Sequence, residues 1–145
     1  MDSKGIRIVA ASILPLTNGN YVTTTAFAFS CQIDGYVYDL EIDDGFEFDG
    51  ATVPKWLWHV AGTPYQAPRV TAALMHDWLY TTHQVPRDVA DRMFYEAMLL
   101  CGCKKSDAKR DYDCVRMFGG FCWGNNTYED IEHATKIGRL TKNLA

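Results

Sequence analysis

No apolar run in this 145-residue chain approaches the roughly 20 residues that cross a bilayer, so no transmembrane helix is expected. Basic charge is also scarce, with 14 Lys and Arg against 18 Asp and Glu, a net charge of -4 and a pI near 5.5. Sequence-independent nucleic-acid binding needs a basic surface that displaces counterions, so no nucleic-acid partner is expected. Lys104, Lys105, Lys109, Arg110 and Arg116 form a local basic strip, read as a solvated helix face. Met1–Arg7 lacks a secretory apolar region, and the short stretch Ile8–Leu16 has no clean cleavage site after it. The N-terminus therefore reads as a first strand, of a chain made in a cytoplasm. Five cysteines make an odd count, which points to reduced thiols rather than a disulfide framework. Cys101-Gly102-Cys103 with Cys114 and Cys122 lacks zinc-knuckle spacing, and the thiols read as small apolar helix residues. Repeats, low-complexity segments and Pro/Gly linkers are absent too. What remains is ordinary globular composition, 48% hydrophobic and 22% charged.

The order of patterns predicts one α+β domain over 1–145. An N-terminal antiparallel β meander (β-rich 1–50) precedes a compact bundle of three or four helices (54–120), with a terminal helix or partly ordered tail at 128–145. Ile6–Val9 alternates, Asn18-Gly19-Asn20 is a turn, and Tyr21–Phe29 is β-branched and aromatic enough for one strand. Asp34-Gly35 signals a hairpin into Tyr36–Ile42, whose Tyr38, Leu40 and Ile42 alternate with Val37, Asp39 and Glu41. Phe46 and Phe48 finish a strand that Asp49-Gly50 breaks. Thr52 is placed to cap a short helix, Pro54–Val60.

The helix predicted over 68–81 is the informative one. Val70, Ala72, Ala73, Leu74, Met75, Trp78, Leu79 and Tyr80 cover nearly every direction of its wheel, the mark of a buried helix. His76 and Asp77 interrupt it, and a buried carboxylate costs several kcal/mol unless it is paired or metal-bound. Partners must come from elsewhere. In the next helix, from Pro86 to Gly102, Asp88 points to solvent, whereas Asp91 sits on the flank beside Phe94 and can turn inward. Asp49, at a strand-to-helix break, suits either ligand binding or helix capping. Ser106 is expected to cap a third helix ending at Gly119-Gly120, and 121–126 reads as a loop.

Three blocks in this region resemble a bacteriophage and prophage family known as domain of unknown function 1353. Gly45-Phe46-Glu47-Phe48-Asp49-Gly50-Ala51-Thr52-Val53-Pro54 is similar to its G-F-x-[TS]-D-x-[AS]-[ST]-[VI]-P block. His76-Asp77-Trp78-Leu79-Tyr80 is similar to H-D-x-L-Y. Arg87–Phe94 is similar to the R-x-x-A-D-x-x-F part of a third block, followed by Val115-Arg116-Met117-Phe118-Gly119, like V-R-x-x-G. The resemblance covers about residues 40–120 and implies a phage gene acting in virion assembly or lysis, without a settled reaction. His76-Asp77-x-x-Tyr80 is also similar to the H-D-x-C-Y signature of secreted and parvoviral phospholipases A2. That likeness implies His76 as general base, Asp77 as calcium ligand, Asp91 as the residue orienting His76, and Tyr80 bonded to Asp91. Leu79 stands where that signature has cysteine, and Ala61–Tyr65 is a poor match to its glycine-rich calcium loop.

Two functions of different class follow. One is a metal-assisted hydrolase acting on lipid or on peptidoglycan or peptide in virion entry, assembly or lysis. His76 and Asp91 would be catalytic, Asp49 and Asp77 would hold Ca²⁺, Mg²⁺ or Zn²⁺, Tyr80 and Thr52 would support, and no organic cofactor is expected. The other is a non-catalytic tail or neck protein, meeting other virion proteins or host envelope components. There the Asp-His-Asp cluster is a structural hydrogen-bond network.

Overall fold

A computed structural model describes residues 2–49 and 69–145, excepting the side chains of Phe48, Asp49 and Arg69. Six strands come first: β1 (Ser3–Val9), β2 (Ile13–Pro15), β3 (Asn20–Thr23), β4 (Phe27–Ile33), β5 (Tyr36–Ile42) and β6 (Glu47–Asp49). Five helices follow: α1 (Arg69–Thr82), α2 (Arg87–Leu100), α3 (Lys105–Phe118), α4 (Gly120–Gly124) and α5 (Tyr128–Ile137). A last strand, β7 (Gly138–Leu144), closes the order. The α+β class and the strands-then-helices order stand as read. Thr52 and the helix expected at 54–60 lie outside the described residues.

The strands form two antiparallel sheets, ordered β1-β4-β5-β7 and β2-β3-β6. The hairpin expected at Asp34-Gly35 joins β4 to β5, with both turn residues at positive φ and Ile33 facing Tyr36. Along β5 the alternation holds: Tyr38, Leu40 and Ile42 are buried, while Asp39 and Glu41 are exposed. The single strand expected over Tyr21–Phe29 is two, because the chain changes sheet at 24–26. Ser12 holds that crossing from both sides: its carbonyl accepts from Thr24 N at 2.8 Å, and its N–H donates to Thr25 Oγ1 at 3.0 Å.

Helix α2 packs between α1 and α3 and lies over β1 and β4. Buried Glu96 ties it to the first strand by accepting from Ser3 Oγ at 2.6 Å and from Gly5 N at 3.1 Å, where β1 bulges. Trp78 and Met75 of α1, Phe94 and Met93 of α2, and Phe29, Cys31 and Leu40 of the sheet belong to one core. Among the described residues no helix is long and apolar enough to cross a membrane.

Three expectations fail locally. The loop expected at 121–126 opens with the short helix α4, in which Trp123 N donates to Gly119 O at 3.0 Å. Helix α3 starts at Lys105 with no side-chain cap, because the chain is already helical when it reaches Ser106. The terminal helix or tail is a helix followed by a strand. Ile131, Ala134 and Ile137 do lie in α5, but Leu140 belongs to β7, which pairs with β5 from Ile42↔Gly138 to Tyr36↔Leu144. The unpaired edge of β5 supplies what local pattern does not: a row of backbone donors and acceptors to be satisfied.

Candidate active site

Helix α1 is buried on most sides because Val70, Ala72, Ala73, Leu74, Met75, Trp78, Leu79 and Tyr80 cover most of its surface, so its two ionisable side chains beyond the first turn, His76 and Asp77, must look to its neighbours. His76 is 8% exposed, and its ring sits 4.2 Å from that of Tyr80 and 4.7 Å from that of Phe94, centroid to centroid. His76 and Tyr80 are four apart, hence on one helical face, and that face meets α2 where Asp91 is fully buried. His76 Nε2 lies 2.8 Å from Asp91 Oδ1, and Tyr80 donates its hydroxyl to the same oxygen at 2.5 Å. The partner predicted for His76 is the partner found.

Two arginines complete the cluster. Arg116 Nη1 of α3 donates to Asp91 Oδ2 at 2.6 Å, and Arg87 Nε stands 3.9 Å from the same oxygen. Arg87 also donates through Nε to Tyr80 Oη at 3.2 Å, and through Nη2 to the Val115 and Arg116 carbonyls at 2.7 and 2.9 Å. Its position four residues before Asp91 is an ion-pair spacing that sequence reasoning passed over. Arg116 was expected on a solvated basic strip. It is instead half-buried and bonded to Asp91, whereas Lys104, Lys105, Lys109 and Arg110 are exposed as expected. Its only signal in the sequence was membership of the V-R-x-x-G block.

The glycine of that block has a physical reason as well. A Cβ on Gly119 would lie 2.6 Å from Tyr80 Oη and 2.5 Å from the Val115 carbonyl oxygen. Only glycine lets the end of α3 come this close to the tyrosine that bonds Asp91.

The two carboxylates of interest are shifted in opposite directions. Burial pushes the Asp91 carboxyl up, but the hydrogen bond and charge of His76 and the hydrogen bonds of Tyr80 and Arg116 outweigh it, and the net direction is down. Asp91 is therefore an anion that only accepts. Tyr80 moves the other way, raised by burial and by the anion it bonds, so it stays a donor. With an acceptor at 2.8 Å, His76 Nε2 carries the proton. In the neutral ring this leaves the Nδ1 lone pair unprotonated, a tautomer assigned from the bonding pattern. Among the described residues nothing bonds Nδ1.

Asp77, one residue on, turns to a different side. Its carboxyl is pushed up to about 7 by burial and then by the charge of Asp130 on α5, and its own charge acts on Cys122 of α4. Among the described residues no group donates a hydrogen bond to its carboxylate. Asp49 ends β6 with its backbone opposite Asn20, and its side chain lies outside the described residues, as does all of Thr52. The structure thus brings His76, Tyr80 and Asp91 together and sets Asp77 around the helix from them. Among the described residues no group of three or more His, Cys, Asp or Glu could hold a metal ion. Asp88 is exposed, as its wheel position required.

Among known proteins, the chain is similar to two proteins of Sinorhizobium fredii (strain NBRC 101917 / NGR234). "Uncharacterized protein y4iH" is 35% identical over 71 residues, covering 49% of this chain and 30% of that protein. "Uncharacterized protein y4jT" is 28% identical over 78 residues, covering 54% and 23%. The matched stretch is under a third of either relative's length. No solved structure matches the chain. The family model described as "Protein of unknown function (DUF1353)" matches residues 25–115, which hold the hairpin, the His76-Asp77 helix and Asp91, and the chain belongs to that family.

Proposed function

We propose that the chain is a phage-encoded, metal-assisted hydrolase in which His76 is the general base. The observation that carries this reading is the 2.8 Å contact between His76 Nε2 and the buried, ionised Asp91. A carboxylate that fixes the tautomer and orientation of an imidazole is how general-base histidines are prepared. Nδ1 takes a proton from water, the resulting hydroxide adds to an ester or amide carbonyl, and the imidazolium returns the proton to the leaving group. Asp91 stays ionised throughout and stabilises the imidazolium.

A divalent cation fits Asp77 chemically: the carboxylate is half-buried, has no donor among the described residues, and is penalised when charged. Asp77 and Asp49 would hold Ca²⁺, Mg²⁺ or Zn²⁺, with Tyr80 and Thr52 in supporting roles. The ion would polarise the carbonyl under attack. The pairing of His76 and Tyr80 with one later aspartate supports the phospholipase-A2-like version and lipid as substrate, with peptidoglycan or peptide as the other class. Either suits virion entry, assembly or lysis, on synthesis in the host cytoplasm and with the virion as site of action.

The test is turnover. The full chain is incubated with phospholipid vesicles and, separately, with peptidoglycan and peptides, with each metal or with chelator. We expect metal-dependent product from one class, and a loss of at least about 10²-fold in His76→Gln with the melting temperature retained. No product from any class with any metal would sink the reading.

A second reading has its own observation. Asp91 is fully buried and bonded by three side chains from the two helices on either side of its own, as a structural tie would be. On that reading the chain is a tail or neck component contacting other virion proteins or the host envelope. His76→Gln would then lower stability with no activity to lose.

A further inference from the structure

We propose that Arg116 is a positioning residue for the His76–Asp91 pair, its directed Nη1–H bond to Oδ2 fixing the carboxylate plane so that Oδ1 faces Nε2 and Nδ1 stays unprotonated. The catalytic consequence rests on the reading of His76 as base, but the effect on the ring proton does not.

A carboxylate has two oxygens, and its rotation decides which of them meets a neighbour. In Asp91 the two are divided between helices. Oδ1 takes both donors from α1, His76 Nε2 at 2.8 Å and Tyr80 Oη at 2.5 Å, while Oδ2 takes Arg116 Nη1 from α3 at 2.6 Å. Among the described residues, those three, with Arg87 on the aspartate's own helix, are the charged and titratable side chains that face it. Arg87 is poorly placed to act instead, since its Nε is 3.9 Å from Oδ2 and its Nη2 is engaged by two backbone carbonyls. Without Arg116 the carboxylate loses the donor that opposes rotation, and a buried anion is left with fewer bonds. The net downward direction of the Asp91 carboxyl, in which the Arg116 bond takes part, agrees with this.

The site around the guanidinium is also built. Arg116 lies in the last turn of α3, just before Gly119, and the Arg116 carbonyl accepts from Arg87, which in turn bonds the Tyr80 hydroxyl. Tyr80, Asp91, Arg87 and Arg116 thus form a closed ring of contacts across three helices, entered by His76 at one oxygen.

The experiment reads the ring proton directly, without substrate. Long-range ¹⁵N–¹H correlation spectra of His76 are recorded on the full chain with chelator at about pH 8, above the ordinary histidine range. In the unsubstituted protein we expect the Nε2–H tautomer to dominate. In Arg116→Gln we expect the ratio of Nε2–H to Nδ1–H to fall about tenfold, the size of one weakened charged hydrogen bond. A ring proton on Nδ1 in the unsubstituted protein, or an unchanged ratio in folded Arg116→Gln, overturns the proposal. If Arg116→Gln does not fold, Arg116→Lys takes its place, keeping the charge without the planar fork: a ratio below the original supports the proposal, and an equal one overturns it. Failure of the hydrolase reading would show as absent turnover with this tautomer result intact, so the two failures are told apart.

Discussion

At the scale of single residues, two aspartates of one helical layer show how environment divides the same side chain into two chemistries. Asp91 is buried among donors and held below the ordinary carboxylate range, so its ionisation stabilises the fold. Its folded value is depressed, so this contribution is complete above the unfolded value near 3.8 and is lost as pH falls through the folded value. Asp77 is half-buried, faces the charge of Asp130 and is pushed up to about 7, so its sign is reversed. Folding favours its protonated form, and stability falls as pH rises from about 4 to about 7. We expect Asp77→Asn, measured by thermal unfolding with chelator, to raise the melting temperature at pH 8 by about 5 °C and to leave it nearly unchanged at pH 4. A lower melting temperature at pH 8 would mean that the Asp77 anion is compensated within the protein.

Among elements, the close approach of α3 to α1 decides whether the site exists. The approach is possible because Gly119 has no side chain where Tyr80 Oη and the Val115 carbonyl converge. We expect Gly119→Ala to destabilise by about 1–3 kcal/mol through overpacking, read from urea unfolding. Tyr80→Phe in the same background removes the contact at 2.6 Å and should recover part of that loss, whereas the backbone clash remains. Simple additivity of the two substitutions would show that the glycine is not there for the tyrosine. Helices α1, α2 and α3 were legible beforehand. Apolar residues around the whole wheel announced a buried α1, and the flank position of Asp91 announced its inward turn. Arg116 was not legible, because a cation at the end of a helix rich in Lys, Arg and Asp, with Asp113 three residues before it, looks like a surface residue until a second helix is placed beside it.

For the whole molecule, the C-terminal segment joins the helical layer to the sheet. Trp78, fully buried at the centre of α1, donates Nε1–H to the Ala134 carbonyl of α5 at 2.8 Å. Four residues after Ala134 the chain passes into β7 at Gly138, where a Cβ would stand 2.5 Å from the same indole. Arg139 then bonds Asp43 at 2.8 Å, and Lys142 lies 4.2 Å over the ring of Tyr36. We expect Gly138→Val to cost about 1–3 kcal/mol or more, since the ring is rigid and enclosed, and to lower the thermal midpoint of sheet and helix signals together. Separate transitions would mean that β7 is an accessory to the domain rather than part of its cooperative unit.

What the sequence determined by itself was whatever depends on short-range pattern. Strand alternation in Tyr36–Ile42, the Asp34-Gly35 turn, the buried helix with its two costly polar residues, and Asp91 as the histidine's partner all follow from periodicity and from the expense of burying charge. The motif blocks likewise led to the family to which the chain belongs. What only the tertiary structure decided depends on neighbours distant in the chain. It divided Tyr21–Phe29 between two sheets, turned the tail into an edge strand on β5, set Asp77 near Asp130 and Cys122, and drew Arg116 from the surface to Asp91. In each case the local sequence permits more than one outcome, and the choice falls to whichever packed element can satisfy a backbone edge or a buried charge.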